Sequence, residues 1–287
     1  MYSQKFGILI LLLSVLIGAC GSTQQITESD EIPLNKTTQA TLWVQNAAEY
    51  TAITTQSYNT AQRMLPLSLE DSFWTASLNQ QENENHLSLP PAIIMDIDET
   101  VLDNSPFQAR MIKQNKAFNI ADWNAWCNEA NADPVSGALE FTNFAAENGV
   151  AIFYISNRSY EVEDATRKNL IEKGFPVSDS IDTIMSNGEE PDWNSSKVER
   201  RKVVEENYRI LMAFGDDLND FLHAKGITQD KRAALVEENA NKFGRMWFVL
   251  PNPVYGSWED ALFDFEDDLT EDEQNSILQE RLNSKNN

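Results

Sequence analysis

Two aspartates one residue apart, Asp96 and Asp98, stand directly after a short apolar stretch in the run AIIMDIDETVLDN. A carboxylate can attack phosphorus and carry the phosphoryl group as an acyl phosphate. A second carboxyl two residues on can protonate a leaving alkoxide and later activate water. Phosphoryl transfer otherwise asks mainly for positioning and charge neutralisation, and magnesium, a hard cation that prefers oxygen ligands, supplies the latter. Residue types and spacing therefore point to transfer of a phosphoryl group with a divalent cation present.

Such a pair works only if the fold gathers further groups around it. Continuous apolar runs at residues 92–95, 150–155, 210–214 and 246–250, with a weaker one at 183–185, predict buried strands of a parallel sheet. Helical stretches at 161–173 and 198–207 fall between them, giving an α/β fold: a Rossmann-like open parallel sheet with helices on both faces. Segments 41–78 and 104–148 predict a smaller helical accessory region within one domain spanning 41–287. In open parallel sheets, ligands bind beyond the carboxyl ends of the strands. The first run leads into Asp96 and Asp98, the second into Ser156, Asn157 and Arg158, and the third into Gly215, Asp216, Asp217 and Asp220. Carboxylates, a hydroxyl and a cation thus converge on one crevice.

Composition narrows the chemistry. With 45 acidic against 22 basic residues the net charge is −23, which repels nucleic-acid polymers. His86 and His223 are the two histidines of the sequence, too few for a binuclear zinc or iron phosphatase. No Arg-His-Gly, G-x-S-x-G or Walker sequence occurs. His86 is expected to be solvated in a polar loop at 78–90, and His223 to lie on the surface or behind the site. The acidic tail after Trp258 predicts a solvated helix without chemistry.

Residues 1–19 combine Lys5, an apolar run and closing small residues, the form of a secretory signal peptide. Cys20, after Gly18 and Ala19, resembles the acylated cysteine of a bacterial lipobox, and Gly21 after it implies the outer membrane of the cell envelope. Residues 20–40 are expected to form a flexible, lipid-anchored tether. Lipidation would leave Cys127 unpaired, expected as an inert, partly buried thiol.

DIDETVLDN, YISNR, SSKVERR and GDDLND occur in the order of the haloacid dehalogenase superfamily motifs. With LWVQNAAEY, ADWNAW and KFGRMWFVLPNPVYGSWE, the chain resembles the class C acid phosphatases, lipoprotein e type 5′-nucleotidases. The resemblance spans roughly residues 41–285. It implies Asp96 as nucleophile and Mg2+ ligand, and Asp98 as general acid/base whose main-chain carbonyl also meets the metal. It implies Asp216 as a further metal ligand, supported by Asp220. Ser156, with Asn157 beside it, would hold a phosphoryl oxygen, and Lys197 would neutralise the aspartyl-phosphate. Trp123 and Tyr255 would sandwich the base of a nucleoside monophosphate, although both are also ordinary packing residues. NGEEPDWNSSK departs from the lysine-rich loop of the family, so Lys202 stays an alternative to Lys197. GDDLND in place of GDNLDD adds Asp217, expected near the metal. The same intermediate would serve a phosphotransferase, and a non-catalytic surface lipoprotein is the reading of another class.

Overall fold

The computed structural model describes residue 32, residues 35–266 and residues 268–282. The expected signal peptide, Cys20 and most of the expected tether lie outside the described residues. Helices α1 (Lys36–Asn46), α2 (Ala48–Glu70) and α3 (Leu78–Asn83) precede the first strand, β1 (Pro91–Met95). A small excursion follows: β2 (Leu102–Asp103), α4 (Ser105–Lys113), α5 (Ile120–Glu129) and β3 (Asp133–Pro134), with β2 and β3 paired antiparallel. Helix α6 (Ala138–Glu147) returns to β4 (Ala151–Ser159), α7 (Glu163–Glu172), β5 (Ile184–Asn187), α8 (Val198–Asn207) and β6 (Arg209–Gly215). The chain continues through α9 (Gln229–Glu238), β7 (Trp247–Val249), α10 (Ser257–Asp260) and α11 (Glu271–Arg281).

Five strands pair in the order β5-β4-β1-β6-β7, all parallel. The chain builds outward from β1 through β4 to β5, then returns to place β6 and β7 on the other side. The connection therefore reverses direction at β1, where a ligand crevice opens in such sheets. Met95 is in register with Tyr154 and Phe214, so the residues that follow these strands emerge side by side.

All seven residues of β6 are buried, as expected of a strand covered on both faces. Helices α2 and α6 pack together on one side, and Tyr58 and Phe141 bring their rings 5.4 and 4.9 Å from Phe214. Tyr58 also donates its hydroxyl to the carbonyl of Thr100 at 2.7 Å, anchoring the loop after β1 to the core. Gly137 opens α6 at φ +92°, and a Cβ there would lie 3.0 Å from Tyr58 Cβ, so its bareness permits this close approach.

Several boundaries differ from the sequence expectation. Ordered helix begins at Lys36, not Thr41, because Asn35 caps it by accepting from Thr38 N–H at 2.9 Å. The predicted polar loop at 78–90 contains α3, whose Gln80 is 1% exposed and bonds Ile210, Glu205 and Tyr208. Polarity there serves internal hydrogen bonding rather than solvation. His86, expected in solvent, is buried, whereas His223 is exposed. The tail is not one solvated helix: α10 ends at Asp260 and α11 begins only at Glu271, and between them Ala261 is buried and Phe265 reaches the main cavity. Cys127 is buried in α5, and burial pushes its thiol up to about 12, so it stays protonated and inert. Among the described residues no helix is long and apolar enough to cross a membrane.

Candidate active site

A cavity of about 880 Å³ opens at the carboxyl ends of β1, β4 and β6. Asp96, Asp98, Asn157, Arg158, Lys197, Asp216 and Asp220 line its floor, and Phe118, Trp123 and Tyr255 its walls. Asp96 continues β1, and its N–H is bound to the carbonyl of Phe214 at 3.0 Å, fixing the start of the loop. The loop then closes tightly: Val101 and Leu102 donate to the carbonyl of Ile97, and Glu99 adopts φ +58°. Asp98 is thereby turned toward β4.

Lys197 enters from the start of α8, itself at φ +60°, and is 5% exposed. Its ammonium donates to Asp96 Oδ1 and, at 2.6 Å, to Asp220 Oδ1. Burial alone would lower its pKa, but Asp220 and Asp96 outweigh burial and hold it protonated. Lys202 instead pairs with Glu199 on an exposed face. Two non-glycine residues in the left-handed region, Glu99 and Lys197, thus flank the nucleophile candidate, a conformation maintained where surrounding contacts over-determine it.

Asp98 meets a cation of its own. Arg158, 1% exposed, donates Nε to Asp98 Oδ1 at 2.9 Å, and Asn104 Nδ2 donates to the same oxygen at 2.8 Å. Asp98 Oδ2 is left 3.5 Å from the Ser156 hydroxyl. Ser156 Oγ also accepts from Arg158 N–H at 3.0 Å, and at 1% exposure it stands outside the cavity lining with its own proton directed at Asp98 Oδ2. The two aspartates are therefore electrostatically distinct, one facing lysine and the other arginine.

Asp96, Asp216 and Asp220 bring carboxylate oxygens within 4.8 Å of one another. Burial, together with mutual repulsion, raises Asp216 well above the usual carboxylate range. Burial likewise pushes Asp96 up to about 7, with Lys197 opposing and Asp220 and Asp98 adding. Three crowded carboxylates share one ammonium, and their hard oxygens fit a divalent cation that would offset the remaining charge. Asp220 is also held by Asp217 N–H at 3.0 Å, and Asn252 Nδ2 donates to Asp216 Oδ2 at 2.8 Å.

Asp217, expected near the metal, does something else. Its carboxylate accepts from Ser257 N–H at 2.8 Å, from the Ser257 hydroxyl, and from Asn219 N–H and Nδ2 at 2.9 Å. Burial would raise its pKa, but the bonds from Asn219 and Ser257 outweigh it and hold the carboxyl below the usual range. The acid and amide of GDNLDD are exchanged here, and the hydrogen bond between the two side chains is available in either order.

The sequence places helix 198–207 but not the bracing role of its arginines. VERRKVV looks like a solvated charged stretch, yet Arg200 is 0% exposed. Its guanidinium donates to the carbonyl of Ser156 and, at 2.7 Å, to Asn157 Oδ1. Arg201 donates to the carbonyl of Asn219 at 2.6 Å. Adjacent arginines on α8 thus clamp the end of β4 and the turn after β6, and no periodicity signals it. Phe118 was also missed. It is 64% exposed at the cavity wall, whereas Trp123 is 9% exposed, packed edge-on to Phe107 at 5.1 Å and covered by Arg158 at 5.7 Å.

A parallel sheet with an aspartate pair after its central strand, a buried lysine and a further acidic strand end is the arrangement of the haloacid dehalogenase superfamily. The model of HAD superfamily, subfamily IIIB (Acid phosphatase), matches residues 18–258. This chain belongs to that family of phosphoric monoester hydrolases. The class C acid phosphatase from Bacillus anthracis is 34% identical, covers 87% of this chain and 98% of its own, and superposes with a TM-score of 0.73. Its tungstate-bound crystal structure gives 0.75. Acid phosphatase 1 from Solanum lycopersicum is 26% identical over 163 residues, 56% of this chain. The Stem 28 kDa glycoprotein from Glycine max is 25% identical over 166 residues, also 56% of this chain. The matches span 57% and 58% of these two plant relatives.

Proposed function

We propose that this chain is an extracytoplasmic, lipid-anchored, Mg2+-dependent phosphomonoesterase that acts on nucleoside monophosphates through an aspartyl-phosphate. The observation that carries the reading is the division of labour between the aspartates: Asp96 is bound by Lys197 and Asp98 by Arg158. In the first step Asp96 attacks phosphorus, the phosphorus–ester oxygen bond breaks, and Asp98 gives its proton to the departing alkoxide. In the second, Asp98 takes a proton from water as that water displaces Asp96 from phosphorus. Ser156 donates its hydroxyl to a phosphoryl oxygen, and Lys197 balances the charge of Asp96 throughout. Asp96, Asp216 and the main-chain carbonyl of Asp98 would hold the cation. Bound there, it would neutralise phosphoryl oxygens. That a 34% identical class C acid phosphatase is solved with tungstate, an oxyanion, bound supports the reading.

Nucleotide preference is supported by aromatic walls, since any base offers a π-face. The exposure of Phe118 supports it, with Tyr255, as the stacking surface, Trp123 packing beside it with ring centroids 6.4 Å apart. Purified, signal-less protein should hydrolyse nucleoside monophosphates with Mg2+ and lose activity with chelator. In the same panel, Phe118→Ala should raise KM for nucleotides about tenfold, in line with the loss of one stacking platform. Trp123→Ala should chiefly lower thermal stability, because it empties a packed aromatic site. Chelator-resistant turnover would overturn the metal dependence. A nucleotide KM that rises for Trp123→Ala but not for Phe118→Ala would return the stacking role to Trp123.

Envelope location rests on the leader at 1–19 and on Cys20-Gly21. Full-length protein should incorporate labelled fatty acid and sediment with outer membranes, and Cys20→Ala should abolish the labelling. Labelling that persists in Cys20→Ala would rule out that anchor.

A further inference from the structure

We propose that Glu99 is a positioning residue that ties the nucleophile loop to the aromatic wall by holding the hydroxyl of Tyr255. This rests on the nucleotide-stacking reading for its consequence, but the tether itself stands on geometry. Glu99 directly follows Asp98, is 4% exposed and adopts φ +58°. A non-glycine residue in that region needs a reason to stay there. Three bonds provide it. Its N–H donates to the carbonyl of Leu102 at 2.9 Å, and its Oε1 accepts from Asn104 N–H at 3.1 Å. Its Oε2 accepts from the hydroxyl of Tyr255, which comes from the far end of the chain.

Both carboxylate oxygens are thus engaged, and Glu99 stands apart from the cluster formed by Asp96, Asp216 and Asp220. It orders the site without adding to the metal-binding set. Tyr255 is held from its other side as well. Asn252 Oδ1 accepts from Val254 N–H at 2.9 Å, and Asn252 Nδ2 donates to Asp216. Asp217 fixes Ser257 two residues on. Gly256 between them sits at φ +144°, so this short segment turns sharply and depends on these ties to aim the ring. Tying the hydroxyl to the residue beside Asp98 sets the ring relative to the reacting phosphorus before any ligand arrives. The ordering cost of the ring is then not charged to binding.

The experiment uses Tyr255→Phe, which keeps the ring, with Glu99→Gln, the double variant and Tyr255→Ala. Amide hydrogen exchange over 252–257 should accelerate several-fold in Tyr255→Phe. The KM for a nucleoside monophosphate should rise about tenfold, the scale of one hydrogen bond, and by clearly less for a small alkyl phosphate that has no ring to stack. Glu99→Gln, whose amide can still donate to the phenol oxygen, should fall between wild type and Tyr255→Phe. In the double variant the two changes should be less than additive. Exchange and KM ratio both unchanged in Tyr255→Phe would overturn the tether. If Tyr255→Ala raises the ratio while Tyr255→Phe leaves it alone, the tether falls and stacking stands. If exchange accelerates but neither Tyr255→Ala nor Phe118→Ala alters the ratio, stacking falls and the tether stands.

Discussion

Asp96→Asn should cut phosphomonoester turnover by about 10⁶-fold, the scale seen when a covalent nucleophile is removed while the binding site survives. The amide occupies the same space but cannot form the acyl phosphate, and Lys197 keeps Asp220 as a partner at 2.6 Å. The fold should survive, and in metal-free buffer it should gain stability in a pH-dependent way. Burial first of all raises Asp96 from an ordinary 3.8 to about 7, against the pull of Lys197. The folded state therefore holds that proton more tightly than the unfolded chain. Its stabilising contribution is complete below about 3.8 and is lost as pH rises through about 7. Asparagine does not titrate, so the melting-temperature gap in favour of the variant should open between those values and level off above. Thermal melts across that window, beside initial rates, check both halves. Wild-type-like turnover would remove Asp96 from the mechanism, and a pH-independent gap would remove the buried-carboxylate explanation.

Gly215→Ala should also damage the enzyme, from outside the reacting groups. A Cβ at this position would stand 2.1 Å from Asp220 Oδ2 and 2.3 Å from Asp220 Cβ. Something must move, and Asp220 is the side chain in the way. Displacing it breaks its bond to Lys197 and the one from Asp217 N–H that closes the turn after β6. Lys197 would then face Asp96 without the second carboxylate that holds it. We expect kcat to fall at least a hundredfold and stability to drop by about 1–3 kcal/mol, the usual range for overpacking a tight interior. Steady-state kinetics with a denaturant melt would show it. Activity within a few-fold of wild type would mean that Asp220 is dispensable for placing Lys197.

These expectations show which parts of the molecule were legible in the chain. Strands β1, β4, β6 and β7 announced themselves because a parallel sheet buried on both faces demands unbroken apolar runs, and Asp96, Ser156 and Asp216 followed as residues at strand ends. Lys197 was harder to see. Its place depends on a left-handed residue at the start of α8, which neither hydropathy nor propensity encodes, and Lys202 five positions on looked equivalent. Arg200 and Arg201 were hidden by their own charge, since burial of arginine becomes possible only when carbonyls from other loops arrive to receive it. Gln80 was misplaced for the same reason. Polar residues read as solvated until their tertiary partners are known. Trp123 was named from the resemblance, whereas the 64% exposure of Phe118 at the cavity is a property of the assembled wall that the chain does not display. Asp217 looked like extra charge at a metal centre and turned out to fasten the segment that carries Tyr255.

The early start of α1 has a practical side. Asn35 and Thr37 line the same cavity as Asp96, and Lys36 pairs with Glu259 beyond Tyr255. A recombinant form trimmed at Thr41, where the sequence pattern suggests that the domain begins, would remove a wall of the pocket. Assays on that form would then report an enzyme with altered substrate affinity. Secretion vectors for this protein are better joined ahead of Asn35, leaving the cap and the first turn of α1 in place.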